Sequence, residues 1–175
     1  MSNKAFKYFV WELSKKKFEA SRYSLIIIFI ETLGLYKSSY VADFNITWNN
    51  LSRLLNLNSF PKHRFKKFIK DIVSGTIERN EIIIEELDKN LDIKFNLNNM
   101  DKIFQVILKS ATYEFLYKPN LSINIIIKEY LNASNFFLND SQTKYLNALL
   151  DGVAKKLRTS NAWIWTYKKI FFKII

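Results

Sequence analysis

The chain has 175 residues, with 27 Lys and Arg against 16 Asp and Glu, a formal net charge of +11, and only 3 Gly, 2 Pro and no Cys. That length suits one domain with a sizeable core, the scarcity of Gly and Pro favours helices over a turn-rich β fold, and the lack of Cys excludes disulfides, thiolate nucleophiles and cysteine metal sites. The basic balance suits a polyanion such as RNA, although Lys, Asn, Ile, Phe and Tyr are also the residues of adenine- and thymine-rich codons, so charge alone does not choose the partner.

Phe6, Phe9, Val10 and Leu13 stand at i, i+3, i+4, i+7 and predict a short amphipathic helix within residues 1–14. Charges interrupt its apolar residues, so it does not read as a secretion signal. No apolar run approaches the ~18 residues of a membrane span, and the expected location is the cytoplasm. Lys15, Lys16, Lys17 and Arg22 precede Leu25-Ile26-Ile27-Ile28-Phe29-Ile30. An uninterrupted apolar run points all round a helix, which predicts a helix buried on every side at the centre of a layer.

Residues 34–64 have weak periodicity, with one short helix suggested by Leu51, Leu54 and Leu55. Pro61 sits where helices commonly start. Phe65, Phe68, Ile69, Ile72, Val73 and Ile77 then follow a 3.6 period, and the helix can run on through Ile82-Ile83-Ile84 to Leu87. Asp92 to Asn98 is a polar break. Ile103, Val106, Ile107 and Ala111 give the next stripe, with Asn98 or Asn99 as the cap and Pro119 marking the end. Ile123, Ile126, Ile127, Tyr130 and Leu131 form another, with Ser122 as N-cap. Tyr145, Leu146, Leu149, Leu150 and Val153 form the last, after Asp140-Ser141. Short connections between these three predict antiparallel neighbours sharing one core. Expected core residues are Ile26, Phe29, Ile72, Ile107, Ile127 and Leu149.

Trp163, Tyr167, Ile170, Phe171 and Ile174 share one helical face, with Lys168, Lys169 and Lys173 largely off it. Residues 159–175 therefore read as a basic amphipathic helix, packed back on the bundle or docked on a partner or membrane surface.

No catalytic constellation emerges. His63 stands alone and holds no metal. Three glycines, Gly34, Gly75 and Gly152, make no phosphate loop, and no nucleophile elbow frames a serine. Glu78, Glu81 and Glu85 fall on one helical surface, read as a solvated face. The chain is expected to be no enzyme and to carry no cofactor.

The segments "VILKSATYEFLYKPNLS", "IIKEYLNASNFF" and "DSQTKYLNALLDGVA" resemble the C-terminal half of the transcription antitermination factor NusB family, with Tyr113-Glu114, Glu129, Asn147 and Asp151 in one ordered row. "EASRYSLIIIFIETLG" resembles that family's first helix, with Arg22 at the family's arginine, and "FIKDIVSGTIERN" resembles a later one, with Gly75 at the family's glycine where two helices cross closely. The likeness covers about residues 15–158, leaving 1–14 and 159–175 as extensions. It implies an all-α fold of two three-helix bundles packed at a large angle. It also implies binding of single-stranded boxA RNA jointly with the small ribosomal protein NusE, within the RNA polymerase antitermination complex, notably on ribosomal RNA operons. Monomer and homodimer are both compatible, and a membrane is not an expected partner.

On that resemblance, Lys15, Lys16, Lys17 and Arg22 contact phosphates, while Gln142, Lys144 and Tyr145 supply base contacts and a stacking ring, Lys144 and Tyr145 standing at the family's Lys and Phe. Glu114 matches a position assigned to the NusE contact. Ile30 stands at a common aromatic, Ser141 at a frequent Asp, Thr143 at the His, Asn124 at a frequent Lys and Leu138 at a Gly. These departures bear on RNA preference more than on fold. A ribosomal RNA maturation factor and a helical protein–protein adaptor without RNA binding are the alternatives.

Overall fold

A computed structural model describes residues 22–33, 48–49, 53, 62–91 and 97–159. Its elements are α1 (Arg22–Leu33), α2 (Lys62–Glu78), α3 (Asn80–Asn90), a 3₁₀ turn at Leu97–Asn99, α4 (Lys102–Tyr117), α5 (Ile123–Ser134) and α6 (Asp140–Thr159). No strand occurs among the described residues. The helices expected at 1–14 and at 163–174 lie outside them, and of the one expected at Leu51–Leu55 only Arg53, which is helical, is described.

α4 touches each of the other five helices. Its sequence shows why. From Phe104 to Leu116 nearly every side chain is buried, including Ser110, Thr112 and Glu114. The expected stripe of Ile103, Val106, Ile107 and Ala111 is too narrow: α4 is covered on all sides. Of its buried hydroxyls, that of Ser110 donates to the Val106 carbonyl at 2.7 Å, one turn back, whereas that of Thr112 has no partner among the described residues.

α1 is the second enclosed helix. Leu25, Ile26, Ile27 and Ile28 are each fully buried, between α2, α4 and α5. This is the outcome the unbroken apolar run predicts. α4, α5 and α6 pack on one another pairwise, a three-helix bundle, while α1 packs on α2 and α2 hands over to α3.

Caps differ from expectation at one start. Asp101, not Asn98 or Asn99, caps α4, its Oδ1 accepting from the Ile103 N–H at 2.9 Å; Leu97 to Asn99 is taken up by the 3₁₀ turn. Ser122 is the N-cap of α5, though its hydroxyl makes no cap hydrogen bond. α2 begins at Lys62, straight after Pro61. It does not run unbroken to Leu87. Arg79 interrupts it with φ −108° and ψ 20°, and its guanidinium lies over the Tyr117 ring at 4.9 Å and the Tyr113 ring at 6.0 Å. The bend therefore sits where a cation is held by α4. Backbone bonds still bridge it, from the Arg79 N–H to the Gly75 carbonyl and from the Ile83 N–H to the Arg79 carbonyl.

Gly75 is the close crossing. A Cβ there would overlap the Tyr113 ring. Of the expected core, Ile26, Ile72, Ile107 and Ile127 are buried; the side chain of Phe29 lies outside the described set. Leu149 is only partly buried. The buried line of α6 is Leu146, Leu150, Val153, Ala154 and Leu157: it keeps Leu146, Leu150 and Val153 of the predicted stripe, adds Ala154 and Leu157, and leaves Tyr145 exposed.

Candidate nucleic-acid interface

The start of α6 is built by a reciprocal cap. The Gln142 N–H donates to Asn139 Oδ1 at 2.9 Å, and the Asn139 N–H donates to Gln142 Oε1 at 3.0 Å. This is the capping-box geometry with amides in both roles. Gln142, expected to read RNA, is thus partly committed to the fold: its oxygen is spent on the cap.

Lys144 and Tyr145 follow on the next turn and both are exposed, Tyr145 at 51%. Tyr145 leans on α4, where its ring centroid lies 5.8 Å from that of Phe104, tilted by 32°. Phe104 is buried. A buried ring thus steadies a half-exposed one, and an aromatic held this way offers its open side for stacking. Nothing in the sequence signals Phe104 as that support, because it lies off the predicted stripe of α4. Thr143, standing at the family's His, has its hydroxyl buried with no partner, so that departure faces inward.

Lys15, Lys16 and Lys17 lie outside the described residues. Arg22 opens α1, but its side chain is not described. The structure therefore brings together Gln142, Lys144 and Tyr145 and leaves the four basic residues unplaced beside them.

Glu114 requires a correction. Expected at a partner contact, it is fully buried. Tyr130 Oη donates to its Oε1 at 2.8 Å and Tyr23 Oη to its Oε2 at 3.5 Å, so the carboxyl sits where α1, α4 and α5 meet. Loss of water pushes its pKa up to about 7, against the opposing pull of the Tyr130 hydroxyl, Lys118 and Tyr23. A carboxyl so enclosed positions helices and presents nothing to a partner.

Arg158, which sequence reading passed over, closes the other end of α4. Its Nε donates to the Phe115 carbonyl at 3.1 Å, Nη1 to Leu121 at 2.5 Å, and Nη2 to Glu114 at 3.2 Å and Lys118 at 2.8 Å. The last carbonyls of a helix lack intrahelical donors, and the planar guanidinium answers several at once. Lys156 does the same for α3, donating to the Asn90 carbonyl at 2.8 Å. Among the described residues no cluster of His, Cys, Asp and Glu would hold a metal, and no helix is long and apolar enough to cross a membrane.

The profile of the NusB family matches residues 35–155. The chain belongs to the NusB family. It is similar to the transcription antitermination protein NusB of Maricaulis maris, 26% identical over 115 residues that span 58% of this chain and 72% of that protein. It is also similar to the proteins of the same name from Novosphingobium aromaticivorans, 30% identical over 52% of this chain and 62% of that protein, and Bartonella tribocorum, 26% identical over 50% of this chain and 56% of that protein. The fold of T. maritima NusB superposes with a TM-score of 0.55 at 20% identity, covering 78% of this chain and 92% of that one. The likeness confirms the all-α, NusB-like fold. The family is non-catalytic, and the chain is accordingly not an enzyme. The family profile begins at residue 35, after α1, and ends at 155, before Lys156 and Arg158, whose caps complete the fold beyond the matched stretch.

Proposed function

We propose that this chain is a cytoplasmic transcription antitermination factor that binds boxA-like single-stranded RNA together with the ribosomal protein NusE, and acts on RNA polymerase elongation, notably at ribosomal RNA operons. The observation that carries this reading is the exposed Lys144–Tyr145 pair at the start of α6, with Tyr145 braced on Phe104, in a chain whose relatives are named for transcription antitermination. An ammonium beside a braced ring suits a phosphate and a neighbouring base. Lys15, Lys16, Lys17 and Arg22 add positioning charge.

Fluorescence anisotropy over a salt series, with boxA-like and scrambled RNA and with or without NusE, tests this. Tyr145→Ala is expected to weaken binding by about 1–3 kcal/mol with the salt slope unchanged. Lys144→Ala is expected to weaken all RNAs alike and to reduce the slope by ~0.7. Equal, feeble binding of both RNAs even with NusE present would defeat the reading and leave a helical adaptor.

A further inference from the structure

α5 and α6 pack side by side, and the seam between them opens into a groove of about 400 Å³. α5 lines it with Asn124, Lys128 and Asn132 at i, i+4 and i+8; α6 contributes Asn147 and Asp151. Ile127, Leu131 and Ala148 make an apolar floor. Asn124, Lys128, Asn132 and Asn147 are all exposed, and their side chains take no hydrogen bond or ion pair among the described residues. Asp151 pairs with Lys155, on its own helix, at 2.6 Å. Apart from the Asp151–Lys155 pair, these polar groups are left over by the described fold, and they converge beside the apolar side chains of Ile127 and Leu131. Convergent polar groups beside apolar side chains are the mix that ligand sites use for orientation and contact, here in an open groove suited to a flat group laid on the surface.

We propose that this groove receives an unpaired nucleobase of the bound RNA, next to the one stacked on Tyr145. The inference rests on the RNA-binding reading above and adds a second contact to it. The chemistry of the lining selects the ligand. Of the charged lining residues, Asp151 is already held by Lys155 and Lys128 is a lone ammonium, so most of the polar lining is carboxamide rather than a cluster of cations built for phosphate. Carboxamides carry a donor and an acceptor side by side, the match for a base edge, and in single-stranded RNA those edges are free. The apolar floor takes the flat face of a base.

Placement supports the same occupant. At about 100° per residue, Lys144 lies between Tyr145, which leans on α4, and Asn147, which faces α5. A strand crossing the first two turns of α6 meets a ring on one flank, an ammonium in the middle and the amide groove on the other. A peptide would use the same amides but would have no need of the ring and the cation beside them.

The test uses the full chain, with Asn132→Ala, Asn147→Ala and the double variant; both side chains are exposed, and retained thermal unfolding checks the fold. Short single-stranded oligo(A), oligo(C), oligo(U) and boxA-like RNA are the probes. Wild-type side-chain amide NMR signals of Asn124, Asn132 and Asn147 are expected to shift on adding RNA. The double variant is expected to lose roughly 5- to 100-fold in affinity and its preference among bases, with the salt slope unchanged because no phosphate contact is removed. If Tyr145→Ala weakens binding while the groove variants bind like wild type, the groove is no base site and the RNA reading stands. If wild type binds no RNA at all, both fall. If the amide signals ignore RNA and move only with NusE, the groove docks protein and the proposal is overturned.

Discussion

Glu114 shows how far one side chain's setting can depart from its type. The buried carboxyl is held between Tyr130 and Tyr23, and its pKa rises from 4.5 to about 7, chiefly because burial penalises the ionised form. Lys118 opposes the rise and Asp71 adds to it. The folded state therefore binds the proton more tightly than the unfolded chain does. Its stabilising contribution is complete below the unfolded value near 4.5 and is lost as pH rises through 7, about 3 kcal/mol in all. Denaturant melts should show the protein losing about 2–3 kcal/mol from this group between pH 5 and pH 8. Glu114→Gln keeps an acceptor for Tyr130 but cannot ionise, so its stability should stay flatter across that window. Parallel pH profiles for the two proteins would refute the assignment.

At the scale of elements, two helical glycines make opposite demands. Gly75 lies under the Tyr113 ring, and Tyr113 is itself buried against α2. Gly75→Ala should destabilise by about 1–3 kcal/mol, since the ring has to move within a packed layer. Gly152, inside α6, has nothing near a would-be Cβ. Gly152→Ala should stabilise by roughly 0.5–1 kcal/mol through helix propensity. Thermal melts of the pair give a direct contrast, and equal effects would mean that α2 and α4 do not cross at Gly75. The end of α6 is a further junction. Arg158 serves four carbonyls around the end of α4. Arg158→Ala should cost about 2–4 kcal/mol, and Arg158→Lys should recover only part, because an ammonium cannot reproduce the planar fork. Full recovery with Lys would show that charge alone matters there.

For the whole molecule, the described helices close around α4, with α6 supplying caps to both α3 and α4 through Lys156 and Arg158. A chain ending at Arg158 keeps both caps. Deleting residues 159–175 is therefore expected to leave a folded protein with unchanged boxA affinity, read by anisotropy after circular dichroism confirms the helices. Loss of binding in a folded truncation would place the tail in the RNA site. Ending the chain at Lys155, the limit of the family profile, removes both caps and should lower the melting temperature.

The sequence by itself determined the helical class, because Ile, Leu and Phe recur at 3.6-residue spacing and the run from Leu25 to Ile30 has no polar face to leave outside. It also determined the family, because Tyr113-Glu114, Glu129, Asn147 and Asp151 fall in one ordered row. It marked Lys144 and Tyr145, since both match a motif at a helix start. Tertiary structure decided what periodicity cannot see. Glu114 reads as a surface charge until Tyr23, 91 residues earlier in the chain, is brought within 3.5 Å of it. Tyr145 reads as part of an apolar stripe until the buried line of α6 settles on Leu146 and Leu150, which leaves the ring braced on Phe104. Arg158 gains four acceptors only when the ends of α4 and α6 meet. A stripe fixes which way a helix turns to within about one residue, or 100°. Its neighbours fix the rest, and here that remainder separates core from candidate site.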